Sequence, residues 1–140
     1  MAEKNELLDG VSPETDELAS TLMGDALDLL AAGDPFCVLL AVQDASGEVT
    51  SFEFSDDGAE ACLDAARAKV GQVAGARRYA IAYEGAVEAA DDGFADALLL
   101  EFGERGWRSY SAYSLVDGAG SGDGFTWTDP APAGEVPPLL

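Results

Sequence analysis

Hydrophobic and polar positions follow two different periods along the chain, and the two periods separate predicted helices from predicted strands. Over residues 13–32, leucine and alanine recur three or four positions apart, as on one face of a helix. Ser12 suits the N-cap of this helix, and Gly33 suits its C-terminal end. A second helix is predicted over residues 58–73, because Asp57 begins the pattern of a capping box.

Five other stretches have the pattern of strands. Residues 36–42 are apolar without alternation, which is typical of a strand covered on both faces, or on one face and by a partner. Residues 50–54 and 78–84 alternate between apolar and polar positions, as half-buried strands do. Residues 97–102 are strongly apolar, and after a turn residues 107–116 complete the set. The predicted fold class is α+β: a five-stranded, mostly antiparallel sheet with two helices packed on one face, in the order α-β-β-α-β-β-β.

The length and the two ends of the chain predict one domain with polar extensions. A chain of 140 residues is too short to divide into two well-packed cores. We expect residues 1–12 to form a flexible N-terminal segment and residues 13–116 to form a single α+β domain. Residues 117–140 have the composition of a Gly/Pro-rich C-terminal tail, in which residues 125–128 are able to dock as a short extra strand.

Acidic residues dominate the charge of the chain. The net charge is −20, from 27 acidic and 7 basic residues, and residues 1–66 hold 16 of the acids with one base, Lys4. Such a field repels phosphates, so we expect no binding to nucleic acid or to membranes. It attracts a basic protein partner, although solubility and salt adaptation explain the same composition. The sequence therefore favours a non-enzymatic interaction or regulatory protein with an acidic docking face.

The chain contains no histidine, and this excludes several chemistries. Ser-His-Asp and Cys-His catalysis, histidine metal ligation and a histidine pH switch all require that side chain. Cys37 and Cys62 are too few for a typical structural zinc site, and both lie in apolar stretches typical of buried thiols. Since neither a signal peptide nor a membrane span is visible, we expect a cytoplasmic protein with reduced thiols and no cofactor.

Carboxylates are concentrated around the predicted turn between the third and fourth strands. They are Glu84, Glu88, Asp91, Asp92 and Asp96. Carboxylates that lie close together bind hard cations or hold a proton between them. A cation-binding protein, or a carboxylate-based enzyme, is therefore the alternative function, and a solvated polar loop is the simpler explanation.

Aromatic and basic residues are concentrated in the second half of the chain. The candidate binding residues are Tyr79, Tyr83, Trp107, Arg108, Tyr110 and Tyr113. They fall in strands that we expect to be neighbours, and such side chains are enriched at binding surfaces. Packing of the aromatic rings on the sheet explains them equally. Homodimerisation through an exposed strand edge is compatible with either function.

Part of the chain is similar to a known group of proteins. Residues 78–85, Arg-Tyr-Ala-Ile-Ala-Tyr-Glu-Gly, are followed by Asp-Ala-Leu-Leu-Leu-Glu at 96–101 and Glu-Arg-Gly at 104–106. These motifs resemble those of small uncharacterised bacterial α+β proteins of unknown function. The resemblance covers residues 36–116 and implies the fold, but it implies no activity and no functional residue.

Overall fold

A computed structural model describes residues 10–33, 37–54, 58–88, 93–118 and 120–140. The helices and strands in these ranges are α1 (Pro13–Ala32), β1 (Val38–Asp44), β2 (Val49–Phe54), α2 (Ala59–Gln72), β3 (Ala76–Glu88), β4 (Phe94–Glu104), β5 (Ser109–Asp117), β6 (Thr126–Trp127) and β7 (Ala131–Val136). The strands pair antiparallel in the order β2-β1-β3-β4-β5, and both β6 and β7 pair with β5. The prediction of an α+β fold with an antiparallel sheet is confirmed.

The two helices pack on opposite faces of the sheet, so the prediction that both lie on one face is wrong. Leu39 and Ala41 of β1 contribute to the core under α1. Val38, Leu40 and Val42 contribute to the core under α2. Because β1 buries both sets of alternating residues, a single layer of helices on one side would leave half of them in water. We call these surfaces the α1 face and the α2 face.

The sheet has seven strands rather than the predicted five, because the C-terminal segment adds β6 and β7 beside β5. Phe125 is buried in the core of the α1 face, with its ring centroid 5.9 Å from that of Trp127. The backbone N–H of Gly120 donates to the Leu30 carbonyl at 2.8 Å, at the end of α1. A Cβ on Gly33 would lie only 3.1 Å from the Gly120 Cα. The glycines of this segment therefore permit a close contact with α1.

A buried carboxylate fastens α2 to its face of the sheet. Glu101 of β4 accepts two hydrogen bonds from Arg67 of α2, one of them from Nε at 3.1 Å. The Tyr83 hydroxyl donates a third at 3.1 Å. Burial of Tyr83, together with the negative charge of Glu101, raises the pKa of Tyr83 to about 12, so the hydroxyl stays protonated and keeps its role as a donor.

The described helices are confined to the two sides of this sheet. Neither has the length and apolar character needed to cross a membrane.

The start of α1 agrees with the predicted cap, since Ser12 accepts a hydrogen bond from the backbone N–H of Thr15 at 3.2 Å. The predicted cap of α2, Asp57, lies outside the described residues.

Candidate docking groove

A cavity of about 610 Å³ opens on the α1 face, between α1 and the hairpin formed by β1 and β2. Its floor is apolar and consists of Leu18 and Leu22 from α1 with Ala41 from β1. Its outer wall is β2, where Val49 and Ser51 line the cavity. Val49 is 45% exposed, so an apolar side chain stands uncovered at this wall. We call this cavity the docking groove.

Three carboxylates form the rim of the docking groove along α1. Glu14, Glu17 and Asp25 all line it and all are exposed. Residues separated by three, four or eleven positions lie on one side of a helix, so these three side chains stand in a row with Thr21 between them. The sequence of α1 contains neither lysine nor arginine. The rim therefore presents negative charge that no neighbour on the helix neutralises.

One basic residue, Arg78 of β3, is among the residues that line the docking groove. Its Nη1 donates to the Gln43 side-chain oxygen at 2.8 Å, and its Nε donates to Glu104 at 3.3 Å. Its side chain is only 12% exposed. Because its charge is balanced by Glu104, Arg78 closes one end of the groove without turning it into an anion site.

Glu104 fixes the position of α1, and therefore the shape of the docking groove. Its carboxylate accepts hydrogen bonds from the hydroxyls of Ser12 and Thr15, the latter at 2.9 Å, and from Nε of Arg77 at 3.3 Å. Burial alone would raise the pKa of Glu104, but the hydrogen bonds from Ser12 and Thr15 and the pairing with Arg78 outweigh it and lower the pKa to about 2. The carboxylate is thus charged at neutral pH, and it fastens the first turn of α1 to the end of β4.

Three of the six aromatic and basic candidates lie on the α2 face. Tyr79 is fully buried there and belongs to the core under α2. Tyr83 and Tyr113 are half-buried and flank Leu99, with which both are paired across neighbouring strands. The latter two rings therefore share one partly open row.

The other three candidates lie elsewhere. Tyr110 pairs with Phe102 on the α1 face, and its hydroxyl accepts a hydrogen bond from the Gly10 backbone N–H at 3.0 Å. Trp107 and Arg108 follow the turn between β4 and β5, where Arg108 Nη1 donates to Glu135 at 2.9 Å. The structure thus divides the six residues between the two faces and a turn, and a binding role for any of them stays a prediction.

The acidic candidates are described only in part. Glu84 pairs with Leu98, and Asp96 pairs with Ala86, which makes the two carboxylates diagonal neighbours on one face; both are exposed. Such positions lie about 7–8 Å apart between Cα atoms. The Glu88 side chain, Asp91 and Asp92 lie outside the described residues. In the described part of the chain no group of acidic or cysteine side chains is arranged to hold a metal ion, and the cation site stays a prediction.

The docking groove itself was not predicted from the sequence. In the sequence, Glu14 and Glu17 match the charge preference of a helix N-terminus and indicate nothing more, and the position of β2 beside them depends on long-range packing. No family model, curated protein or solved structure matches the chain. The resemblance of residues 36–116 to small bacterial proteins therefore stays a prediction.

Proposed function

We propose that the protein is a non-enzymatic interaction protein that binds a basic segment of a protein partner in the docking groove. The observation that carries this proposal is an apolar floor beside a row of exposed carboxylates, Glu14, Glu17 and Asp25. A segment rich in lysine or arginine matches both parts of the groove. The aliphatic stems of such residues cover apolar surface while their charged ends stay in water beside carboxylates.

The two parts of the docking groove have different energetic roles. The rim carboxylates are exposed, so each pairing with a partner cation contributes only about 0.2–1 kcal/mol, but together they speed association and select against acidic partners. Val49 provides exposed apolar area whose burial contributes about 25 cal/mol per Å², whereas Leu18 and Leu22 are already buried and shape the floor. We therefore expect moderate affinity that weakens as salt screens the rim.

We place this function in the cytoplasm. Cys62 is buried and Cys37 is half-buried, and both are free thiols. Burial raises the pKa of Cys37, and the neighbouring Cys62 adds to the increase. A protonated thiol is a poor nucleophile, so Cys37 suits a structural role, and free thiols of this kind suit a reducing compartment.

Calorimetric titration with a synthetic peptide tests the proposal. The peptide alternates lysine with valine and has twice the length of the 6-residue strand β2. We expect it to bind the wild-type protein, and we expect a version with glutamate in place of lysine not to bind. The triple variant Glu14→Gln, Glu17→Gln, Asp25→Asn should bind the lysine peptide about tenfold more weakly, since three exposed pairings together contribute roughly 1.4 kcal/mol.

A matched control separates the docking groove from the overall charge. The triple variant Asp117→Asn, Asp123→Asn, Asp129→Asn also removes three negative charges, but from exposed positions that do not line the groove and that lie at or beside β5 and β6, on the opposite side of the sheet from β2. We expect it to bind within about twofold of the wild type, because distant charges are screened beyond roughly 8 Å at physiological salt. Equal weakening by both triple variants would show that only net charge matters and would contradict the proposal.

A further inference from the structure

The outer edge of β2, which borders the docking groove, is unpaired among the described residues. β2 is the last strand on its side of the sheet. Its pairing with β1 runs without a bulge from Val49 opposite Gln43 to Phe54 opposite Val38. A strand in that position has a row of backbone donors and acceptors directed away from the sheet.

The register of the hairpin identifies the backbone groups in that row. The Asp44 N–H donates to the Glu48 carbonyl at 3.0 Å, which makes these two residues a hydrogen-bonded pair. Hydrogen-bonded and non-hydrogen-bonded pairs alternate along an antiparallel ladder. The backbone groups of Val49, Ser51 and Glu53 therefore point to the open edge.

The same three residues direct their side chains to the α1 face. Val49 and Ser51 line the docking groove, and Glu53 pairs with Leu39, which belongs to the core of that face. On the α2 face, Phe52 and Phe54 are half-buried, with ring centroids 6.4 Å apart. A strand added beside β2 would thus meet carboxylates on one face and aromatic rings on the other.

The opposite side of the sheet is protected against strand addition, and β2 is not. β7 contains Pro132, and its pairing with β5 shifts register between Ser111 and Ala112. Gly134 of β7 has a φ of 126°, which is an irregular strand conformation. Proline, bulges and short irregular strands are the features by which proteins prevent edge pairing. Apart from the single charge of Glu53, β2 has none of these features.

We propose that the basic partner segment binds as an added antiparallel strand on β2, with basic residues facing α1 and apolar residues facing Phe52 and Phe54. This inference rests on the proposed function and specifies the conformation and the sequence pattern of the partner. Strand addition supplies affinity through backbone hydrogen bonds, while the alternating side chains supply selectivity. A second copy of this chain is a poor occupant, because pairing two β2 edges would bring together two chains that each carry a net charge of −20.

Backbone methylation of the peptide tests the inference without altering the protein. In the proposed register, the lysine residues of the alternating peptide face β2 with their N–H groups, and the valine residues direct theirs to solvent. Methylating the backbone nitrogens of the lysines should weaken binding at least tenfold. Methylating those of the valines, which gives a peptide of matched mass and charge, should change binding by less than about twofold.

A protein variant provides the complementary measurement. Ser51→Pro removes an outward N–H without removing a hydrogen bond to β1, and Ser51→Ala keeps the N–H. We expect weakened binding with proline alone, after circular dichroism has shown that both variants fold.

If both methylated peptides bind equally and the triple variant of Glu14, Glu17 and Asp25 still weakens binding, the docking groove is used but strand addition is wrong. If that triple variant also binds like the wild type, the proposed function itself is wrong. Sedimentation showing a stable homodimer that the peptide cannot dissociate would also overturn the inference.

Discussion

The hydroxyl of Ser12 donates a hydrogen bond to the carboxylate of Glu104, although the two residues are 92 positions apart in the sequence. Ser12 is at the same time the N-cap of α1, so one buried carboxylate holds the helix start against the end of β4. Because α1 provides the acidic rim and part of the floor of the docking groove, this contact holds one side of the groove in place against the sheet.

Replacing Glu104 with glutamine should destabilise the protein. An amide cannot balance the charges of Arg77 and Arg78, and it accepts the hydroxyl hydrogen bonds more weakly. We expect the free energy of unfolding to fall by about 2–4 kcal/mol. This loss is smaller than that for a fully buried ion pair, because the Arg77 side chain is about half exposed. Denaturant unfolding at neutral pH measures the change, and a loss below about 0.5 kcal/mol would contradict this role for Glu104.

The contribution of Glu104 should also depend on pH in a defined direction. Its pKa falls from an ordinary value of 4.5 to about 2 in the folded protein, so its stabilising effect is complete above the ordinary value and disappears as the pH falls through that interval. Protonation of the other acidic residues relieves the repulsion between their negative charges over the same pH range. The pH dependence of wild-type stability therefore does not isolate the contribution of Glu104. The difference in unfolding free energy between wild type and Glu104→Gln should shrink as the pH falls from 4.5 towards 2. A difference that stays constant would show that the charge of Glu104 is not stabilising.

Gly103 of β4 should tolerate no side chain. A Cβ there would lie 2.1 Å from Ser109 Oγ and 3.1 Å from Tyr79 Cε1, in the fully buried part of the α2 face. We expect Gly103→Ala to cost about 1–3 kcal/mol by overpacking. Gly24→Ala is the control, because Gly24 lies in α1 with no atom within 4 Å of the added Cβ, and it should stabilise by about 0.5–1 kcal/mol. Thermal unfolding of the two variants should therefore shift in opposite directions.

The aromatic residues of the C-terminal segment should differ in their effect on stability. Phe125 is 6% exposed in the core under α1, whereas its stacking partner Trp127 is 54% exposed. Phe125→Ala should cost about 3 kcal/mol, and Trp127→Ala should cost less than about 1.5 kcal/mol. Chemical unfolding of the two variants checks this order. Equal, small losses would indicate that the segment does not pack on the sheet.

Local signals predicted the helices closely. The predicted range of α1, residues 13–32, agrees with Pro13–Ala32, because the cap residues Ser12 and Gly33 act within one turn of the helix ends. The predicted range of α2 differs from Ala59–Gln72 by one residue at each end. In contrast, the face that each helix covers depends on tertiary packing: the unbroken apolar run at residues 36–42 is typical of a strand covered on both faces, but it does not indicate which element covers each face.

The remaining differences have the same origin. Glycine and proline made residues 117–140 resemble a linker, but Gly120 makes a close approach to α1 and Phe125 enters the core. The row of carboxylates along the docking groove follows from helical spacing, which is visible in the sequence. The position of the β2 edge beside that row is not visible in the sequence. The contact between Ser12 and Glu104, which holds α1 in place, joins residues 92 positions apart and has no local signal in the sequence.

Mapping backbone amide shifts by NMR during titration with the alternating lysine–valine peptide tests the docking groove most directly. We expect the largest shifts at Val49, Ser51 and Glu53, which form the open edge of β2, with smaller shifts at Glu14 and Glu17 on α1. Shifts that are largest around Glu84 and Asp96, or that are spread evenly over all acidic segments, would contradict this proposal.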